Sequence, residues 1–255
     1  MVDRHVFYRG QTRSYPLAAL ALANTASQVV EPLLPRESLA GWPNAAFLES
    51  LSLARQRLRD DPTVSAAVAE LLQAHHGLEQ TVVDPPRLRV ILPRGHQLEA
   101  AKPAYYAHRD TWYGNPRSQL NWWLPLHDVE QQQTFVIYPE AFNQPVANDS
   151  HEFDYGHWRQ QVGFANSAAP KGAIYPRALG KLTHLQTQGF AARKGDLLVF
   201  SAAHLHQTLA FDHGLPRFSI DFRTVYLPDH EAGLGAPDPD NASRGTTLPE
   251  YRRLS

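Results

Sequence analysis

A chain of 255 residues can hold one sizeable core or two small domains. With 24 basic against 25 acidic residues, its net charge of −1 provides no electrostatic footprint for nucleic acid or for an anionic membrane. It has no cysteine, which excludes disulfides, thiolate metal sites and cysteine nucleophiles; any metal must be held by His, Asp or Glu, donors that suit Fe, Mn or Zn.

The first 43 residues are mixed. Pro16 predicts the first residue of a helix, with Leu17, Leu20 and Ala21 facing a core. The aliphatic run from Leu17 to Ala23 is too short for a membrane span. It follows Arg4, Arg9 and Arg13 as a leader peptide would, but its Tyr-Pro entry and its short, alanine-rich character favour a cytoplasmic protein. Pro32, Pro35 and Pro43 break the segment that follows. Asn44 is placed to cap a helix with a stripe of Phe47, Leu48, Leu51, Ala54 and Leu58. Asp61-Pro62 reads as the cap and first residue of a second helix, with a stripe of Val64, Ala67, Val68, Leu71 and Leu72, ended by Gly77. His75-His76 falls at that helix end, where a histidine meets the last carbonyls.

Beyond residue 80 the pattern turns to strands: 87–92, 119–124, 134–138, 197–200 after the Gly195-Asp196 turn, and 217–225, which alternates. Short strands preceded by helices predict a mainly β protein with flanking α-helices, a sandwich or small barrel backed by N-terminal helices. No repeat or linker divides the chain, so 1–255 reads as a single domain. Residues 1–80 are a helical scaffold, 85–226 the core, and 228–255, rich in Pro, Gly, Asp and Asn, a loosely packed tail. Residues 141–190 lack periodicity but carry Phe142, Phe153, Tyr155, Trp158 and Phe164, the composition of an ordered, lid-like insertion.

Chemistry concentrates at His108-x-Asp110. Such a pair alone says little, because chance supplies it often. The second half of the chain adds Gly195-Asp196, an apolar strand, His204-Leu205-His206 and Arg217-x-Ser219. Two histidines and one carboxylate on one face of a metal leave positions open, as in non-haem Fe(II) oxygenases. Arg217 and Ser219, two apart on a strand, point the same way and can share an anion. His204 and His206 share a strand face, and either can complete the set. Gln119 and Asn121 alternate with apolar neighbours and can face the interior to bond a cosubstrate or substrate. Trp112, Tyr113 and Trp123 are candidate walls of a substrate pocket. Arg223, on the Arg217 face, can meet a substrate carboxylate or a structural acid. His127-Asp128 and His151-Glu152 read as loop residues.

At His108-x-Asp110, Gly195-Asp196, His206 and Arg217-x-Ser219 the chain resembles the 2-oxoglutarate-dependent Fe(II) oxygenases, and among them the phytanoyl-CoA dioxygenase-like branch. The resemblance covers roughly 85–226. It implies a double-stranded β-helix, a jelly-roll barrel with iron at its open end. It also implies Fe(II) on His108, Asp110 and His206, with 2-oxoglutarate beside it reaching Arg217 and Ser219, and O2 as oxidant. His206 is favoured over His204 because it lies eleven residues after Gly195 and eleven before Arg217. The implied reaction hydroxylates, desaturates or cyclises a small organic metabolite, as in secondary-metabolite biosynthesis, releasing succinate and CO2. Asp110 separates the chain from halogenases of this type, which have Ala or Gly there. Where the family often has a Pro-Gly-Ser-His turn, this chain reads Ile137-Tyr138-Pro139-Glu140-Ala141-Phe142. The alternatives are a jelly-roll metalloenzyme that does not use 2-oxoglutarate and a non-catalytic jelly-roll binding protein.

Overall fold

The computed structural model describes residues 3–38, 44–161 and 173–254. Five expected strands occur close to their expected bounds: β3 (Arg87–Ile91), β4 (Gln119–Pro125), β5 (Phe135–Ile137), β6 (Leu197–Ser201) and β8 (Arg217–Tyr226). Three more, β1 (Arg13–Tyr15), β2 (Thr81–Val83) and β7 (His206–Thr208), have three residues each, too few to show periodicity in a sequence. One antiparallel sheet runs β1-β6-β4-β8, with β2 and β3 both pairing the far side of β8. β5 and β7 form a separate antiparallel pair.

Alternation along these strands sorts the side chains onto two faces. Leu120, Trp122 and Leu124 of β4 pack with Leu197 and Val199 of β6 and with Phe218, Ile220 and Phe222 of β8. The helices α1 (Arg4–Tyr8), α2 (Leu20–Val30), α3 (Ala45–Asp60) and α4 (Pro62–His75) add their apolar stripes to this same core. On the other face, Trp123, Leu198 and Phe200 pack with Phe135 and Ile137, so the β5–β7 pair lies against the main sheet.

The helix caps fall where the sequence puts them. Asn44 accepts the Phe47 amide at 2.9 Å, and Asp61 accepts the Thr63 amide at 2.8 Å ahead of Pro62. Leu48 departs from its stripe and is exposed. The Pro16 expectation is corrected: the chain makes a turn there, and α2 starts at Leu20. Leu17 and Leu20 are exposed, and the buried face is Leu22, Ala23, Ala26, Ser27 and Val30. The cause is tertiary. Asp196 Oδ1 accepts the Leu17 amide at 2.8 Å and Gly195 O accepts the Ala19 amide at 2.9 Å. Gly195 has φ +81°, and a Cβ on it would lie 2.5 Å from Leu20 Cα, so this turn admits only glycine.

The chain beyond Pro228 is held by polar bonds rather than an apolar stripe, which is why its composition reads as loose. Arg252 pairs with Val83, Tyr251 donates to Gln119, and Asp240 is buried among donors. Within 141–190, the described part includes α5 (Tyr155–Gln161) and the pairing of Gln188 with Ile137. Phe164 and Pro43 lie outside the described residues. Among the described residues no helix is long and apolar enough to cross a membrane.

Candidate metal centre

His108 and His206 are brought together by the backbone. Each amide donates to the other's carbonyl at 3.0 Å, an antiparallel bridge that sets the two side chains next to each other. The Asp110 amide donates to Ala202 O at 2.9 Å, tying the carboxylate to the turn that precedes His206. The imidazole centroids are 4.4 Å apart, and His108 Nε2 is 3.5 Å from Asp110 Oδ1. One donor atom from each of His108, Asp110 and His206 lies within 4.8 Å of the others.

Each part of this cluster is oriented from outside. His108 Nδ1 lies 2.8 Å from Tyr106 O, and His206 Nδ1 lies 3.0 Å from His204 O. A carbonyl only accepts, so Nδ1 carries the proton and Nε2 keeps its lone pair for a metal. Burial first, and then His108 beside it, push the His206 pKa down to about 4, so the ring is neutral at pH 7. Asn121 Nδ2 donates to Asp110 Oδ2 at 2.6 Å, and Arg223 Nε stands 3.9 Å from the same oxygen. Burial raises the Asp110 pKa, but the His108 ring beside it and the charge of Arg223 outweigh it and hold the group well below the usual carboxylate range. With His206 neutral at pH 7, the lasting influences there are Arg223 and the Asn121 amide. One carboxylate oxygen is thus engaged, and the other is turned toward the histidines.

The support of Asp110 reaches back to the tail. Gln119 Nε2 donates to Asn121 Oδ1 at 2.8 Å, and Tyr251 donates to Gln119 Oε1. Gln119 and Asn121 therefore face inward as the alternation predicts, with their amides directed at Asp110 and at each other. Asn121→Ala is expected to weaken Mn(II) binding about 10–100-fold, the usual cost of losing an outer partner of a metal ligand. Titration calorimetry checks this, and unchanged affinity would contradict it.

His204 points elsewhere. It is buried, with Nε2 3.1 Å from Gly10 O and Nδ1 3.2 Å from the Ser201 amide and carbonyl. It fastens the N-terminal segment, which leaves His206 for the cluster. Burial pushes His76, His127 and His204, like His206, down to about 4. An unfolded histidine titrates near 6.5, so the unfolded chain binds more protons between these values. The stability of the metal-free protein should therefore be full above about pH 6.5 and fall as pH drops toward 4. Equal denaturant midpoints at pH 7.5 and pH 5 would contradict this.

A cavity of about 800 Å³ opens onto the cluster, within the ~300–1,000 Å³ usual for small-molecule sites. Arg217 lines it. Its Nη1 donates to Gln133 O at 3.1 Å, while its Nε and the Ser219 Oγ on the same strand face are buried and unpartnered among the described residues. Burial lowers the Arg217 pKa to about 10, which leaves it cationic at neutral pH. Two unpartnered buried donors beside a three-ligand cluster fit a carboxylate cosubstrate.

Tyr113 and Trp123 line the cavity, with Tyr113 edge-on to His108. Trp112 does not; it is fully buried and donates to Asp240 Oδ1 at 2.8 Å, a packing role set by its position in the turn after Asp110. Arg223 lines the cavity, but Asp84 holds it: Nη1 is 3.1 Å from Asp84 Oδ2, and its amide donates to Asp84 Oδ1 at 2.6 Å. Phe153, Tyr155, Trp158 and Tyr175 from the 141–190 segment also line the cavity. Asp84, Asp221 and Tyr251 join the site without a motif in the sequence to announce them. Alternation along β8 does place Asp221 between Ser219 and Arg223, but no local pattern marks Asp84 or Tyr251.

No protein-family model and no curated protein sequence matches the chain. Solved structures do. One is the epimerase SnoN in complex with Fe3+, alpha-ketoglutarate and nogalamycin RO, at 16% identity and a TM-score of 0.50 over 98% of this chain and 96% of that one. Another is EvdO2 from Micromonospora carbonacea var. aurantiaca, at 12% identity and a TM-score of 0.51 over 89% of this chain and 92% of that one. At these identities the likeness is one of fold: this chain and those two proteins share an architecture along nearly their whole lengths.

Proposed function

We propose that this chain is a non-haem Fe(II) and 2-oxoglutarate-dependent oxygenase acting on a small organic molecule, of the kind found in secondary-metabolite biosynthesis. The observation that carries the reading is that His108, Asp110, His206 and Arg217 line one cavity, with a buried, unpartnered Nε on Arg217 and a buried, unpartnered hydroxyl on Ser219 of the same strand face. The fold shared with SnoN, described with Fe3+ and alpha-ketoglutarate bound, supports it. The packing of the β5–β7 pair across the cavity face of the main sheet supports a double-stranded β-helix, and the single core that joins helices to sheet supports one catalytic unit over 1–255.

His108, Asp110 and His206 would hold Fe(II), and Arg217 with Ser219 would receive the far carboxylate of 2-oxoglutarate. When bound, these supply O2-dependent oxidation of a substrate C–H coupled to loss of CO2 and formation of succinate. The protein's own part is aim and dryness. Asn121 fixes Asp110 Oδ2, the carbonyls of Tyr106 and His204 fix the rings, and Phe135 and Phe200, edge-on to the His206 ring, exclude water from it.

The test is anaerobic. Fe(II) with 2-oxoglutarate should give the visible charge-transfer band of the chelate, and admitting air should release succinate. Arg217→Leu should raise the 2-oxoglutarate Kd about 10–100-fold, the loss of charge-assisted bonds worth about 1.5–3 kcal/mol, with Fe(II) affinity retained. A protein that binds Fe(II) but gives neither band nor succinate would overturn the reading.

A further inference from the structure

The cavity is lined by more arginines than its metal and cosubstrate chemistry uses. Two adjacent elements supply them. Arg55 and Arg59 are four apart on α3 and share a helix face; Arg87 and Arg89 are two apart on β3 and share a strand face. All four line the cavity, and β3 is an edge strand, so α3 can reach past it. Arg55 does so, its Nε donating to Leu88 O at 3.4 Å, while its side chain stays exposed at the mouth.

Carboxylates do not match this concentration of charge. Asp60 takes Arg59 at 2.9 and 3.1 Å, and Asp221 takes Arg89 at 2.9 and 3.0 Å. Asp84 is divided between Arg87 at 2.9 Å and Arg223 at 3.1 Å. Arg55 has no carboxylate within 4 Å among the described residues, and no residue outside that set is Asp or Glu. The remaining acid near Arg223 is Asp110, which belongs to the metal cluster. A divalent metal and a 2-oxoglutarate dianion neutralise each other, so the positive surplus persists with both bound. In a chain of net charge −1, such a local field draws and orients an anion.

We propose that the Arg55 end of this cavity is the docking site for an anionic group of the substrate, a carboxylate or phosphate borne by an organic body that rests among the aromatic lining residues Phe153 and Tyr155. This rests on the oxygenase reading and adds to it the substrate's charge. The anion would sit against Arg55 with Arg59 and Arg87 close by, and Arg217 would stay with the cosubstrate. The apolar body would extend inward toward His206.

The experiment uses the full chain loaded anaerobically with Fe(II) and saturating 2-oxoglutarate, with the charge-transfer band showing that both are in place. Three probes of one shape are titrated: 4-phenylbutyrate, 4-phenylbutyl phosphate and the neutral 4-phenylbutanamide. At least one anion is expected to bind about tenfold tighter than the amide without bleaching the band, and the preference should shrink as salt rises. Which anion wins separates a carboxylate site from a phosphate site. Arg55→Gln, a conservative change at an exposed helix position, should erase the preference while leaving amide binding and the band unchanged; Arg55→Lys should restore part of it. Equal binding of all three probes, no binding of any, or a preference that survives in Arg55→Gln overturns the proposal. Absence of the band with no probe added overturns the oxygenase reading instead.

Discussion

Asp110→Ala should abolish tight metal binding while leaving the protein folded. The cluster then has two imidazoles and no carboxylate to oppose the charge of a divalent cation, so affinity should fall by more than the roughly 10–100-fold that follows loss of an outer partner. Folding should survive because, although the Asn121 amide loses its acceptor, the charged neighbour of Asp110 has another partner. Arg223 keeps Asp84 at 3.1 Å, and the backbone bridge between His108 and His206 does not involve the carboxylate. Thermal melts separate the two effects. Mn(II) at a hundredfold excess over its Kd should stabilise the wild type by about 2.7 kcal/mol and the variant by almost nothing. In the same variant the charge-transfer band and succinate should both be absent. Unchanged metal-induced stabilisation would remove Asp110 from the site. Collapse of the metal-free variant would show that the carboxylate is first a structural partner of Arg223.

What could be read in advance follows the range of the interactions involved. Helices α3 and α4 are legible because Asn44 and Asp61 cap them locally and their stripes repeat within one element. β4 and β8 are legible because alternation alone separates Trp122 and Phe222 from Asn121 and Arg223. The candidate metal cluster is legible only as a spaced set, since His108 and His206 meet through a bridge across almost a hundred residues. Distant partners leave no local trace. The start of α2 is fixed by Asp196, the role of Asn121 by its contact with Asp110, and the anchorage of the tail by Asp240 and Tyr251. The choice between His204 and His206 is of this kind too. The two share a strand face in the sequence, and the carbonyl of Gly10, far away in the chain, accounts for His204.

Arg109→Leu is expected to be among the most destabilising single changes, although the residue lies between two candidate metal ligands and its side chain bonds neither. Alternation turns it away from His108 and Asp110, and it is fully buried. Its guanidinium ties three other segments to its own: Nη1 donates to Ala203 O at 2.5 Å, Nη2 to Ala141 O at 2.7 Å and Gln144 O at 2.9 Å, and Nε to Asp240 Oδ2 at 3.1 Å. Asp240 in turn accepts Trp112 Nε1 and the Val146 amide, both at 2.8 Å. Leucine would leave a buried carboxylate and three carbonyls short of a donor, a cost of about 3–5 kcal/mol. For a chain of this size that corresponds to a fall in Tm of roughly 6–20 °C. Lysine should rescue little, because a single ammonium cannot span acceptors that a planar fork reaches together. Removing both partners in Arg109→Leu/Asp240→Leu should cost less than the sum of the single changes, since each single variant strands what the other would have paired. Metal affinity should also fall in Arg109→Leu at temperatures where it is folded, because Ala203 belongs to the turn that delivers His206. A Tm within about 2 °C of the wild type, or strict additivity in the double variant, would show that Arg109 does not hold the metal-bearing segments together.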